Sequence, residues 1–235
     1  MGFRATRNRD RRTPLRERQR VLRSRNRFWR LEDLAGSPST KQHLLSSLVE
    51  ESELRRIRRG LYWRGTKTPL GMSPPPTETL ISALAPGAGV GPAGLSAANL
   101  LRLSTQIPRK AEVALPSRAP SDTGAIRFVA RSARRDREKA GLTPTEVALL
   151  EVLESWEKVL EVSPDEAWAR LTKLLTSGQV RAERVARAGN SEPGSVRARL
   201  RELLAASGRA DLAARVPAPD SRTAAAATRS LAGVA

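Results

Sequence analysis

The residues best equipped for chemistry in this chain are four arginines, Arg55, Arg56, Arg58 and Arg59, which precede Gly60-Leu61-Tyr62-Trp63. A glycine between two short β-prone runs predicts a hairpin with its turn at Gly60. So small a hairpin has no folding use for four guanidinium groups. Their planar forks match phosphate oxygens and the major-groove edge of guanine, so the chemistry on offer is recognition of a polyanion. Arg64 follows at the end of the second run. Just upstream lie Ser39, Thr40, Lys41, Gln42, His43, Ser46 and Ser47, interleaved with Leu44, Leu45, Leu48 and Val49. The four apolar residues share one side of a helix. Ser39, His43, Ser46, Ser47 and Glu50 fall roughly opposite, a small hydrogen-bonding face suited to base edges in a major groove. His43 can donate or accept there as a neutral imidazole.

Composition narrows the alternatives. The chain has 235 residues, 39% of them hydrophobic, enough for one large or two modest domains. Its net charge is +18, and residues 1–67 alone hold nineteen Lys and Arg against seven Asp and Glu, a net +12. Charge of one sign concentrated at one end favours a polyanion, DNA or RNA before an anionic membrane surface. Only six of the 42 basic residues are lysine. Forked contacts explain that bias, and so does a GC-rich genome. With no cysteine, disulfides and thiolate chemistry are excluded; a single histidine, His43, excludes multi-histidine metal sites. Neither a metal nor another cofactor is expected. No apolar run approaches the roughly 20 residues of a membrane span. Residues 4–25 have the composition of an organellar transit peptide, but Leu15, Val21 and Leu22 lead straight into the next pattern. They read as a basic arm and a first helix, and the protein reads as cytoplasmic and nucleoid-associated.

The elements that must position the arginines follow in order. Residues 1–13 read as a disordered basic arm. Pro14 starts a helix to about Arg25. Phe28-Trp29-Arg30 is a short strand or aromatic plug, residues 31–34 begin a second helix, and Gly36-Ser37-Pro38 breaks it. Ser39 and Gln42 have capping-box spacing, which starts the third helix at Ser39. Helix, short strand, two helices and a hairpin make a winged helix-turn-helix over 14–66. Residues 67–76 read as a linker, and 77–216 as a second domain with a helix at 77–84. The glycines between 87 and 94 make a turn, since no Gly-Lys-Ser/Thr ending follows and no strand precedes. A helix at 95–103, paired strands at 112–115 and 126–130, and helices from about 143 complete the domain. Thr143-Pro144-Thr145-Glu146 and Pro164-Asp165-Glu166 are helix starts. Residues 217–235 read as a flexible tail. The fold class is therefore α+β, a winged helix followed by a mixed α/β domain with a small sheet and a helical C-terminal part.

The run Ser96-Ala97-Ala98-Asn99-Leu100-Leu101-Arg102-Leu103-Ser104-Thr105-Gln106-Ile107-Pro108, after a hairpin ending Arg-Arg-Gly-Leu-Tyr, resembles the AbiEi family of bacterial type IV antitoxins. The resemblance spans about residues 14–205 and is strongest over 27–63 and 94–131. It implies an N-terminal domain that binds its own promoter and represses its operon. It also implies a second domain that counteracts a nucleotidyltransferase toxin, direct contact between the two being left open. It places DNA reading at His43, Ser46 and Ser47, with Arg55, Arg56, Arg58 and Arg59 on the wing. Two departures stand out. Glu51-Ser52-Glu53 replaces a glycine-bearing turn into the first wing strand, and Arg102 stands where many relatives have glycine.

The expectation is a DNA-binding antitoxin, not an enzyme, whose partners are double-stranded DNA and a toxin, without membrane contact. The interface comprises Ser39, Thr40, Lys41, Gln42, His43, Ser46, Ser47, Arg55, Arg56, Arg58, Arg59 and Arg64. A stand-alone regulator, or a charge-driven nucleoid or RNA-binding protein, is the alternative. A nuclease is disfavoured because Glu112 is the one acid in the two expected strands. Tyr62, Trp63, Phe28, Trp29, Trp156 and Trp168 read as packing residues. Asn99 and Ser104-Thr105-Gln106 read either as a functional surface or as a helix end satisfying its own backbone.

Overall fold

The computed structural model describes residues 4–231, with residues 4–13 described by their backbone alone. The chain is a mixed α+β protein that divides into two compact units, Met1–Ala83 and Leu84–Ala235. The first runs α1 (Arg4–Arg23), β1 (Arg27–Trp29), a 3-10 turn (Leu31–Asp33), α2 (Pro38–Glu50), β2 (Arg55–Arg58), β3 (Leu61–Arg64), β4 (Lys67–Thr68), β5 (Gly71–Met72) and α3 (Thr77–Leu84), whose last turn meets the boundary. β3 is the middle strand of an antiparallel sheet ordered β1-β3-β2. Being central, it buries Leu61, Tyr62 and Trp63 in succession. Tyr62 joins Val21, Trp29, Leu34, Leu44, Leu45, Leu48 and Leu54 in one core. Phe28 packs on Trp63 at 4.8 Å between ring centroids. The aromatic residues thus serve packing, as their neighbours in sequence imply.

Several local expectations are corrected here. α1 begins at Arg4, inside the stretch read as a disordered arm, and Pro14 lies within it; residues 1–3 lie outside the described residues. The second helix is one 3-10 turn, closed by Asp33, whose carboxylate accepts from the Arg30 amide at 2.7 Å. The cap of α2 lies two residues earlier than Ser39, at Ser37. Pro38 takes the first helical position, where a missing N–H costs nothing, and Ser37 Oγ accepts from the Thr40 amide at 3.3 Å. Residues 67–76 are no open linker. The β4–β5 hairpin folds back so that the Gly65 amide meets Met72 Sδ at 3.1 Å and the Thr66 amide meets Ser73 Oγ at 2.9 Å. Gly65 permits this approach, since a Cβ there would lie 2.5 Å from both Ser73 Oγ and Trp63 Nε1.

The second unit runs β6 (Gly91–Pro92), α4 (Gly94–Leu100), β7 (Ala111–Leu115), β8 (Ile126–Ala130), α5 (Asp136–Lys139), α6 (Pro144–Glu154), α7 (Trp156–Val159), α8 (Pro164–Thr176), α9 (Ala182–Ala188), a 3-10 turn (Gly189–Ser191), α10 (Gly194–Ala206), α11 (Ala210–Arg215) and α12 (Ser221–Arg229). β7 pairs with β8 in parallel and with β6 antiparallel, so the glycine turn at 87–94 includes a strand that the sequence did not announce. α6 is buried on nearly every side, Val147, Ala148, Leu149, Leu150, Val152 and Leu153 together with the paired carboxylates Glu146 and Glu151, which makes it the central helix of the unit. Thr143 and Glu146 close its capping box. Trp156 and Trp168 meet edge to face at 5.8 Å. The stretch 217–235, read as a tail, instead carries α12, capped by Asp220 and seated through buried Ala227 and Leu231. Residues 232–235 lie outside the described residues.

Both Ser52 and Arg102 adopt left-handed backbone, with φ 58° and 59°. Each is the first residue beyond a helix cap. At the end of α2 the Ser52 amide donates to Val49 O and the Glu53 amide to Leu48 O; at the end of α4 the Arg102 amide donates to Asn99 O and the Leu103 amide to Ala98 O. These paired bonds define the Schellman helix stop, which favours glycine at that position. At both positions glycine would relax the chain.

Candidate nucleic-acid interface

Arg55, Arg56, Arg58 and Arg59 are all exposed on the β2–β3 hairpin. A register shift between Arg56 and Arg58 sets Ile57 as a bulge, so strict alternation fails. β2 is an edge strand of its sheet, and its three arginines and the turn arginine Arg59 all face water. Gly60 supplies the positive φ of the turn, 78°. Among the described residues none of the four forms an ion pair. Arg55 makes one weak contact, Nη1 to Met72 O at 3.5 Å.

Nearby carboxylates are drawn to other cations. Arg18 grips both oxygens of Glu51, and its hydrogen bond holds that carboxyl below its ordinary value. Glu17 pairs with Arg20 at 3.0 Å and accepts from the Ala35 amide at 3.3 Å. Glu53 pairs with Arg64 at 3.2 Å and Lys67 at 2.6 Å. Arg64 is thereby withdrawn from the interface that the sequence suggested. Its guanidinium also donates to Glu53 O at 3.2 Å and Leu22 O at 3.3 Å, tying the end of α1 to the turn before β2. Its position at the last residue of β3, opposite Arg27, explains this inward use.

On α2, Ser39, Gln42 and His43 are exposed, while Thr40, Lys41, Ser46 and Ser47 are half-buried. Thr40 and Ser39 hydroxyls lie 2.8 Å and 3.0 Å from Ser37 Oγ, so both belong to the helix cap. Ser47 donates to Leu44 O at 3.0 Å, a bond within the helix. Gln42 Nε2 reaches Tyr62 Oη at 3.5 Å, which sets α2 against β3 and hence fixes it relative to the wing. Among the described residues the polar side chains of this face without a hydrogen bond inside the protein are exposed His43 and half-buried Lys41 and Ser46. Glu50, exposed at the far end of the helix, lies roughly 16 Å along the axis from Ser39 at 1.5 Å per residue.

The sequence reading passed over the cationic edge formed by Arg23, Arg25 and Arg27, all exposed where α1 turns into β1. Arg27 and Arg20 lie 4.6 Å and 5.2 Å from the Trp29 ring centroid, a contact that orients both guanidinium groups. The spacing of three arginines at every second residue was the available signal.

In the second unit, Glu112 pairs with Arg127 at 3.1 Å. The Ser104-Thr105-Gln106 run serves its own backbone: Ser104 Oγ accepts from the Gln106 amide at 3.1 Å, and Asn99 Nδ2 donates to Ser104 O at 3.5 Å. Thr105 donates through its amide and hydroxyl to Glu161, whose carboxyl is held down to about 2. Among the described residues, no group of three or more His, Asp or Glu side chains is placed to hold a metal ion, and no helix is long and apolar enough to cross a membrane.

Neither a protein-family model nor a curated protein sequence matches the chain. Among solved structures it is similar to the crystal structure of the RV2827C protein from Mycobacterium tuberculosis, at 18% identity and a TM-score of 0.47, over 88% of this chain and 83% of that one.

Proposed function

We propose that the protein binds double-stranded DNA through residues 14–66, folded as a winged helix-turn-helix, with no catalytic step of its own. The observation that carries this reading is the set of four exposed wing arginines without carboxylate partners, beside a sheet on which α2 is fixed. The winged-helix reading is supported by the order α1, β1, short turn, α2, β2, β3, with β3 between the other strands, a 3-10 turn standing where such a fold carries its second helix. α2 is the reading helix, offering Lys41, His43 and Ser46 to base edges. The wing and the Arg23–Arg25–Arg27 edge anchor phosphates and set the register.

The fuller reading is an antitoxin of the type IV class that represses its own operon and counteracts a nucleotidyltransferase toxin, in the cytoplasm on the nucleoid. What supports it is the resemblance over 27–63 and 94–131, together with the left-handed backbone at Ser52 and Arg102, where that family often carries glycine. Co-expression with a neighbouring nucleotidyltransferase tests this half. Rescue of growth is expected, and undiminished toxicity would leave a stand-alone regulator.

The DNA half is tested by titrating the protein against its own upstream duplex and a shuffled duplex at two salt concentrations, with Arg58→Ala/Arg59→Ala alongside. Preference for the upstream duplex that survives the higher salt and weakens in the double variant is the expected result. Equal affinity for both duplexes, vanishing with salt, would reduce the unit to a charge-driven nucleoid or RNA binder.

A further inference from the structure

We propose that the groove between the end of α4 and the C-terminal half of α8 binds a small phosphorylated ligand of nucleotide size. It encloses about 570 Å³, within the range of roughly 300–1,000 Å³ typical of small-molecule sites. Its walls combine Leu100 and Leu174 with Arg102, Arg170 and Lys173, and no carboxylate lines it. Leu100 is nearly half exposed there, an apolar surface that a planar ring can cover.

Three cations converge on this groove in different states. Arg170 is already positioned: Glu166, one turn earlier on α8, pairs with it, and its other amino group donates to the Arg102 carbonyl. Arg102 and Lys173, among the described residues, form neither an ion pair nor a side-chain hydrogen bond. Arg102 is held at φ 59°, where glycine would be relaxed. The helix stop accounts for that backbone, and it projects an unpaired, exposed guanidinium from the end of α4 at the groove. Two uncommitted cations, beside an oriented guanidinium already paired with Glu166, attract the phosphates of such a ligand, while the leucines face its base. Every residue involved lies between 100 and 179, so the inference is independent of the DNA reading.

The test uses the full chain with Arg55, Arg56, Arg58 and Arg59 all changed to Ala, so that the wing does not compete for anions. Titration calorimetry with ATP, AMP, adenosine and inorganic phosphate is then repeated with Arg102→Gly and Lys173→Gln added singly. The expected result is saturable binding of ATP, weaker binding of AMP, and at least a tenfold loss in each groove variant. Arg102→Gly should at the same time raise the thermal midpoint, so that its loss of binding is not loss of fold. Absence of saturable ATP binding, or ATP binding unaltered by both variants, overturns the proposal. Equal affinity for inorganic phosphate overturns the nucleotide assignment.

Discussion

Arg137 holds both carboxylate oxygens of Glu192, Nε to Oε1 at 2.6 Å and Nη2 to Oε2 at 2.9 Å, with both side chains wholly out of solvent. The pair links α5 to the start of α10, and Arg137 Nη1 continues to Glu151 on α6 at 2.6 Å. Arg131 and Arg134 reach the same Glu151, and Arg134 also reaches Glu154, so three arginines and three glutamates close a neutral network. Removing one member strands a buried charge, which costs about 3–5 kcal/mol. Glu192→Ala is therefore expected to lower the stability of Leu84–Ala235 by that amount in urea denaturation. A cost under about 1 kcal/mol, the level of an exposed pair, would deny the network its role in joining these helices.

The same network gives acid sensitivity with a defined sign. Burial alone would push Glu151 up, but the hydrogen bond from Arg131 and the charges of Arg137 and Arg131 hold it below its ordinary 4.5. Its folded value is thus below its unfolded one. The stabilisation is complete above 4.5 and is lost as pH falls through the lower folded value. The thermal midpoint of the second unit should hold steady down to about 4.5, decline between there and the lower folded value, and level off below it. Glu151→Gln should lower stability throughout and flatten the decline; an unchanged acid slope in that variant would assign the effect to other carboxylates, such as Glu146, also held low by Arg181.

Ser52→Gly should stabilise the first unit by about 1 kcal/mol, the usual penalty for a side chain in left-handed backbone, less the entropy glycine adds to the unfolded chain. Affinity for DNA should not change, because the Ser52 side chain is not among the groups proposed to contact DNA. A destabilised variant would show that Ser52 earns its place through its hydroxyl.

Arg64 and the wing arginines should separate cleanly. Arg64→Ala removes two carbonyl contacts and half the pairing of Glu53, and should cost about 1–3 kcal/mol of stability. The salt dependence of DNA binding by the folded fraction should stay the same. Arg58→Ala/Arg59→Ala should leave stability within about 0.5 kcal/mol and reduce the slope of log affinity against log salt by about 1.8, or 0.9 per phosphate contact. The opposite pattern in denaturation and binding assays would exchange the roles given to these residues.

Elements whose signals lie within one turn of chain were legible. The Thr143–Glu146 box, the proline-led start of α8, the Gly60 turn and the helix at 77–84 are all where local capping and turn chemistry put them. Less legible were features that depend on a distant partner. The 67–76 stretch, rich in Pro and Gly, looked like a linker because nothing local reveals that Met72 and Ser73 would meet Gly65 and Thr66. The alanine-rich 221–229 stretch lacks the large apolar residues that announce burial, yet Arg199 donates to Ala227 O and Ser230 Oγ and holds it in place.

By itself, the sequence determined that arginine is concentrated at one end, that cysteine is absent, and which runs are helical or extended. Charge count, propensity and capping are properties of neighbours along the chain. Only the tertiary structure decided which arginines are spent and which are available. Arg18, Arg20, Arg64, Arg131, Arg134 and Arg137 are paired with carboxylates, several of them brought from far along the chain, whereas among the described residues the wing arginines, Arg102 and Lys173 pair with none. The physical reason is that an ion pair is a through-space event. Identical guanidinium groups become structural or available according to whether folding delivers a carboxylate to within hydrogen-bonding distance.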